Sequence, residues 1–502
     1  MTDREMPGRA MTGIPGLDDV VAGGLPRNRL YVVEGSPGAG KTTIGLQFLI
    51  AGRDVGERGL YITLSETVEE LRTTAHSHGW SLDGIDIQEI LPPEDAAAES
   101  ENTLFHPAEV ELTETTGAII REIERRSPSR LVIDSLSEIR LLAQSPLRYR
   151  RQILSLKQFL GGRQCTSMFL DEAAGSEEGD LHLQTIAHGV IRLEQLAPIF
   201  GAERRRLRIL KLRGLQFRGG FHDFKIETGG LAVYPRLVAS EHLKPASHGM
   251  LASGLPVLDA LLGGGMDQGT TTLIMGPAGT GKSVIVSQYA SAAAARGEHV
   301  LAIIFDEGPG TLLRRTEALG IPFREFVENG TIRVRQIDPA ELSPGEFVHM
   351  IRGAVEREDI RLVVIDSLSG FFNAMPEERL LTVQLHELFT FLRQKGIVVL
   401  LTLPQHGFVG PSVGAPVEVS YLADTVLLLR YFEVDGEIRK AISVVKKRSG
   451  LHESAIREFA MDSEGLRVGP PLRGFQGVLG GTPVFSGDAL GLLQKRDVVP
   501  RG

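Results

Sequence analysis

The chain is short of cysteine, of positive charge and of long apolar runs, and each shortage excludes a class of protein. A single cysteine, Cys165, in 502 residues rules out an intramolecular disulfide and a cysteine-built zinc site, and makes the cytoplasm the natural compartment. A formal net charge of −9 argues against a generally basic nucleic-acid binder, though it leaves room for a local basic channel. The longest apolar stretches, such as VLLLRYF at 426–432, fall far short of the roughly 20 residues that span a bilayer. The opening MTDREMPGRAMTG has neither an apolar run nor a cleavage-site pattern, so no signal peptide is expected. At this length one ordinary core is too small, and two or three domains are expected.

The chain also contains an internal duplication. GSPGAGKT at 35–42 returns as GPAGTGKS at 276–283. Upstream, GIPGLDDVVAGGL echoes SGLPVLDALLGGGM, with Asp18 and Asp259 each 23 residues before their loop lysines. Downstream, LYITLSETVEEL echoes LAIIFDEGPGTLL, placing Glu66 and Glu307 each 25 residues after Lys41 and Lys282. RLVIDSLSEI (130–139) matches RLVVIDSLSG (361–370), and RILKLRG (208–214) matches SVVKKRSG (443–450). The unit repeats at roughly 240 residues, a domain rather than a solenoid module. Within each unit, uninterrupted apolar runs such as LYVVEG, RLVIDS and IVVLLTLP alternate with helical stretches. That is the pattern of a mostly parallel sheet covered by helices on both faces. A first domain over 1–240, a second over 241–468 and a Gly/Pro-rich tail over 469–502 follow from this reading.

A GxxxxGK[ST] loop after a strand and before a helix wraps phosphate in backbone N–H groups. In the first copy Gly35, Ser36, Gly38, Ala39, Gly40, Lys41, Thr42 and Thr43 would form that cradle. In the second the cradle would be Gly276, Gly279, Thr280, Gly281, Lys282 and Ser283. Lys41 and Lys282 reach the outer phosphates, and the Thr42 and Ser283 hydroxyls suit Mg²⁺. Asp134 and Asp366 end apolar runs, where a carboxylate holds Mg²⁺. Glu66, Asp306 and Glu307 are the candidates to orient or deprotonate the attacking group. Lys211, Arg213, Lys446 and Arg448 lie late in their repeats, where they either reach a neighbouring subunit's phosphates or form a solvated strand face. ERRRLRILKLRG at 203–214 also reads as a nucleic-acid channel, but without interleaved aromatics for stacking.

Taken together, these motifs resemble the KaiC family of RecA-like ATPases over about residues 10–480. The resemblance implies tandem RecA-like P-loop NTPase domains, ATP and Mg²⁺ as cofactors, and a double-ringed homo-hexamer with ATP between subunits. It implies that Lys211, Arg213, Lys446 and Arg448 contact the adjacent subunit's nucleotide, and that a KaiB-like protein is a partner. It also implies autophosphorylation in the second domain. Ser420, in VEVSYLADTVLLLRY (417–431), takes the acceptor serine's place. Tyr421, Ala423 and Asp306 depart from the family's two threonines and first glutamate, which argues against a full two-site cycle. A RecA-like DNA-binding ATPase and a nucleotide-switched signalling scaffold remain as other readings of the same loops.

Overall fold

The computed structural model describes residues 8–90, 107–172, 183–197, 201–242, 249–373, 381–405, 421–434, 436–478 and 484–485. The chain divides into two compact units, Met1–Arg236 and Leu237–Gly502.

The first unit holds nine strands in one sheet: β1 (Leu30–Gly35), β2 (Gly59–Thr63), β3 (Ile85–Glu89), β4 (Arg130–Asp134), β5 (Thr166–Glu172), β6 (Gly189–Leu196), β7 (Arg204–Leu212), β8 (His222–Glu227) and β9 (Gly230–Tyr234). Their spatial order is β9-β8-β7-β6-β1-β5-β4-β2-β3. The run from β6 to β3 is parallel, and β7, β8 and β9 extend it antiparallel. Every residue of β1, β2 and β4 is buried, which explains why those strands read as continuous apolar runs rather than alternating ones. Successive side chains go to opposite faces. Tyr31 and Val33 join one core with Ile44 and Phe48, while Leu30 and Val32 join another with Ile119 and Ile153.

The second unit repeats this architecture with β10 (Thr271–Gly276), β11 (His299–Ile304), β12 (Ile332–Gln336), β13 (Ile360–Asp366), β14 (Val398–Pro404), β15 (Thr425–Val434), β16 (Glu437–Lys447), β17 (Arg457–Asp462) and β18 (Gly465–Pro471). The order, β18-β17-β16-β15-β10-β14-β13-β11-β12, places each strand where its counterpart lies in the first sheet. Both units are thus mostly parallel sheets flanked by helices, as the duplicated sequence predicts.

Two details depart from the boundaries read from composition. The first unit ends at Arg236, and Ala239 already belongs to the second, where its N–H donates to Glu387 Oε2 at 2.9 Å. β18 carries the second sheet past residue 468, pairing Pro471 with Arg457. The prolines there sit on an edge strand, where a missing N–H costs no ladder bond. Beyond it, Leu472 and Val478 are buried against Phe432, Val434 and Ala441.

Each unit is also pinned upstream of its loop by the repeated aspartate. Asp18 Oδ1 accepts from the Thr12 N–H and hydroxyl, both at 2.9 Å, and Asp259 Oδ1 accepts from the Ser253 N–H at 2.8 Å. This shared spacing serves the fold, not the site.

Candidate functional site

In the first unit the loop between β1 and the helix Lys41–Arg53 starts that helix from Gly40, whose φ is +96°. A side chain there would be strained and would meet Ile226 Cδ1 at 2.8 Å, so glycine is required twice over. Lys41 Nζ donates to the carbonyls of Gly35 at 2.9 Å and Ser36 at 3.0 Å. Burial lowers the Lys41 pKa, opposed by the charges of Glu172, Asp134, Asp171 and Glu66. Asp134, at the end of β4, accepts on one oxygen from Thr42 Oγ1 at 3.0 Å and from the Tyr61 hydroxyl at 2.6 Å. Burial raises the Asp134 pKa against those two hydrogen bonds.

Glu66 follows β2. Its N–H donates to Thr63 Oγ1 at 2.9 Å, and its carbonyl accepts from the same hydroxyl at 2.7 Å. On its side chain, Oε2 is buried and has no hydrogen-bond partner among the described residues. Burial, then the charges of Asp134 and Glu70, raise its pKa. A half-buried carboxylate with one unpartnered oxygen and a raised pKa near a phosphate loop is the environment of a general base.

The second unit has the same frame with different wiring. Gly281, at φ +109°, starts the helix Lys282–Ala295. Lys282 Nζ donates to Gly276 O and Pro277 O, both at 2.8 Å. Burial lowers the Lys282 pKa, and the charge of Asp366 opposes that shift. Asp366 accepts from the Thr402 hydroxyl on β14. Ala302 stands in the register position that Tyr61 holds in the first unit. Asp306 accepts from Ser367 Oγ at 2.5 Å. Glu307 is held by Arg315, Nη1 to Oε2 at 2.5 Å, while its Oε1 is buried without a partner among the described residues. Both strand-end aspartates are followed by a cis peptide, Asp134–Ser135 and Asp366–Ser367.

The late cations lie away from their own loops. Lys211 pairs in register with Val190, beside the start of β1, whereas the loop leaves its far end at Gly35. Lys211 Nζ donates to Gln184 O at 2.7 Å, and Arg213 donates to Thr185 O at 3.2 Å. Burial, then Arg213 and Lys157, lower the Lys211 pKa. In the second unit Lys446 Nζ donates to Ala423 O at 2.7 Å, and Arg448 lies 3.8 Å from Asp424. Ser420 lies outside the described residues. Tyr421 is 47% exposed, and its carbonyl accepts from Arg448 at 3.3 Å.

Tyr61, Thr402 and Arg315 escape sequence reasoning, as does the pair formed by Arg140 and Asp171. One signal was available: Arg315 lies eight residues after Glu307, about two turns along the helix that follows it. Position 61 carries a tyrosine among aliphatics, but sequence alone does not say which acid its hydroxyl meets.

The residues fit Mg–ATP on two observations. Thr42 and Asp134 form an all-oxygen pair 3.0 Å apart, the hard-ligand chemistry that Mg²⁺ takes. Glu66 Oε2 is a buried acceptor with no donor among the described residues. Two doubly flanked, mostly parallel sheets, each with a lysine-bearing phosphate loop facing a strand-end aspartate, define a tandem RecA-like P-loop NTPase. The family model described as the KaiC ATPase matches residues 10–238 and again 251–473. The chain belongs to the KaiC family of ATPases.

It is 28% identical over 500 residues to the circadian clock protein KaiC3 of Synechocystis sp., covering 97% of each chain. It is also 28% identical to the circadian clock oscillator protein KaiC of Thermosynechococcus vestitus, over 94% of this chain and 91% of the relative. The counterpart in Synechococcus elongatus matches with the same identity and coverage. Among the described residues, no helix is long and apolar enough to cross a membrane.

Proposed function

We propose that the first unit hydrolyses Mg–ATP with Glu66 as the water-activating base, and that the second unit holds ATP more than it turns it over. One observation supports this difference most strongly: among the described residues no cationic side chain is bonded to Glu66, whereas Glu307 is tied to Arg315. In the first site Thr42 and Asp134 would hold Mg²⁺, which when bound neutralises charge on the phosphates; Ser283 and Asp366 would hold it in the second. Glu66 takes a proton from water as the water oxygen attacks the terminal phosphorus and the bond to ADP breaks. The Lys41 ammonium stabilises the charge that moves onto the leaving oxygen. Glu66→Gln, measured with the second site disabled by Lys282→Ala, should bind ATP and lose hydrolysis by roughly 10²-fold or more. Unchanged hydrolysis would remove Glu66 from the mechanism.

The proposal extends to assembly and to phosphorylation. Lys211, Arg213, Lys446 and Arg448, remote from their own loops, would bind nucleotide held by a neighbour in a homo-hexamer. Light scattering should show a mass near six subunits only with ATP and Mg²⁺, because nucleotide bridging a boundary adds its binding free energy to assembly. A monomer in ATP at micromolar protein would defeat that reading. Ser420 is the proposed acceptor for phosphate from the second site, with Asp306 taking the hydroxyl proton. Phosphopeptide mapping beside a Ser420→Ala control tests this, and steady ADP release without phosphopeptide would leave only the ATPase. A KaiB-like partner completes the proposal.

A further inference from the structure

Away from the phosphate loops, the first unit gathers cations at the other end of its sheet. A cavity of about 380 Å³ opens beside the starts of β1 and β5, against the helix Pro146–Gly161, and Arg29, Lys157, Gln158, Ser167 and His188 line it. Lys211 and Arg213 stand next to it. The charges of Arg213 and Lys157 bear on Lys211, those of Arg213 and Arg29 on Lys157, and those of Lys157, Arg29 and Arg213 on His188. Among the described residues, none of Arg29, Lys157, Lys211 and Arg213 is paired with a carboxylate. The hydrogen bonds of Lys157, Lys211 and Arg213 run to carbonyls, Lys157 Nζ to Ile186 O at 2.7 Å among them, and Arg29 Nη1 lies 3.4 Å from His188 Nε2.

The second unit shows what usually balances this place. Asp424 Oδ2 accepts the Thr271 N–H at 3.1 Å, at the start of β10, and the same carboxylate pairs with Arg393 at 2.8 Å. In the first unit His188 Nδ1 accepts the equivalent Leu30 N–H at 3.2 Å. The histidine keeps the backbone bond and removes the negative charge. Because Nδ1 accepts the Leu30 N–H, Nε2 carries the proton, so the 3.4 Å approach of Arg29 Nη1 to Nε2 sets donor against donor, and both can turn to an acceptor in the cavity. Burial, then the charges of Lys157, Arg29 and Arg213, hold the His188 pKa down to about 4, so the ring is neutral and adds no charge of its own.

We propose that this cavity binds a small phosphate-type anion, free in solution, through Arg29, Lys157 and His188. The anion takes the electrostatic place that Asp424 fills in the second unit. Its binding also sets the charge next to Lys211 and Arg213 without entering either phosphate loop. The site does not depend on hydrolysis at Glu66.

The test uses the full chain carrying Lys41→Ala and Lys282→Ala, titrated calorimetrically with inorganic phosphate. Saturable binding is expected. His188→Asn, whose amide keeps both an acceptor for Leu30 N–H and an N–H donor for the anion, is the uncharged reference for the next variant. His188→Asp should bind at least about tenfold more weakly than His188→Asn, because a fixed carboxylate now occupies the positive field. Lys157→Gln should weaken binding as well, a second variant that leaves the Leu30 contact alone. ATP with Mg²⁺ should not displace the phosphate. The absence of saturable binding, equal affinity in the Asn and Asp variants, or no loss on Lys157→Gln would overturn the proposal. Displacement by ATP would also overturn it and assign the cavity to the phosphates of a nucleotide.

Discussion

In the first unit Asp134 is braced from β2 by Tyr61, and no cation among the described residues is paired with the nearby Glu66. In the second, Asp366 is braced from β14 by Thr402, and Glu307 is tied to Arg315. The same sheet order supports both arrangements. Duplication has therefore kept the backbone and the phosphate loops while the donors around each acid changed. The same divergence appears in the core. Arg130 on β4 is almost fully buried, paired with Glu57 and bonded to Met11 O and Phe48 O, both at 2.7 Å. Leu362 holds its register position in the second unit. Gly52 leaves the room that Arg130 needs, since a Cβ there would lie 2.4 Å from the arginine Cδ, and Ala293 stands at the matching place in the second helix.

The largest effect should come from breaking the buried pair. Arg130→Ala should destabilise the first unit by about 3–5 kcal/mol, because Glu57 loses its buried partner and two carbonyls lose their donor. Trp80, the only tryptophan, lies in the first unit with its ring 4.7 Å from His78. Its fluorescence in a denaturant titration therefore reads that unit. A midpoint unchanged from the parent would refute the role given to Arg130.

The next test makes the second site resemble the first. Arg315→Gln should free Glu307 and raise hydrolysis in a Lys41→Ala background by about fivefold, equivalent to about 1 kcal/mol of released pairing. A fall would mean that Arg315 assists the reaction rather than restraining the acid.

The smallest effect concerns pH. The base must be ionised, and the raised Glu66 pKa means that its carboxylate is lost at a higher pH than a free glutamate's. First-site hydrolysis should fall on acidification correspondingly early. Glu70→Gln removes one of the charges that raise Glu66 and keeps an acceptor for the Thr67 cap. It should move that acid limb to lower pH. A limb that stays in place would separate Glu70 from Glu66.

Much of this architecture was legible in the sequence, for local reasons. The phosphate loops, Asp134, Asp366, Glu66 and Glu307 sit at the ends of apolar strands, so chain order alone places them at the same edge of a parallel sheet. The partners were not legible. Tyr61 reaches Asp134 across 73 residues and Thr402 reaches Asp366 across 36, contacts that exist only once strand register is set. Equal spacing also misleads by itself. Asp18 and Asp259 repeat as faithfully as the glutamates, yet both serve as backbone anchors. His188 and Asp424 show the converse: aligned positions whose difference in charge gains meaning only from the cations folded around them.

The central claim is that the two sites differ because one acid is free to act and the other is restrained. Steady-state ATP hydrolysis of Lys282→Ala, with only the first site working, compared with Lys41→Ala, with only the second, tests it most directly. The account predicts that the first site is faster by about tenfold or more, about 1.4 kcal/mol of barrier. Equal rates, or a faster second site, would contradict it.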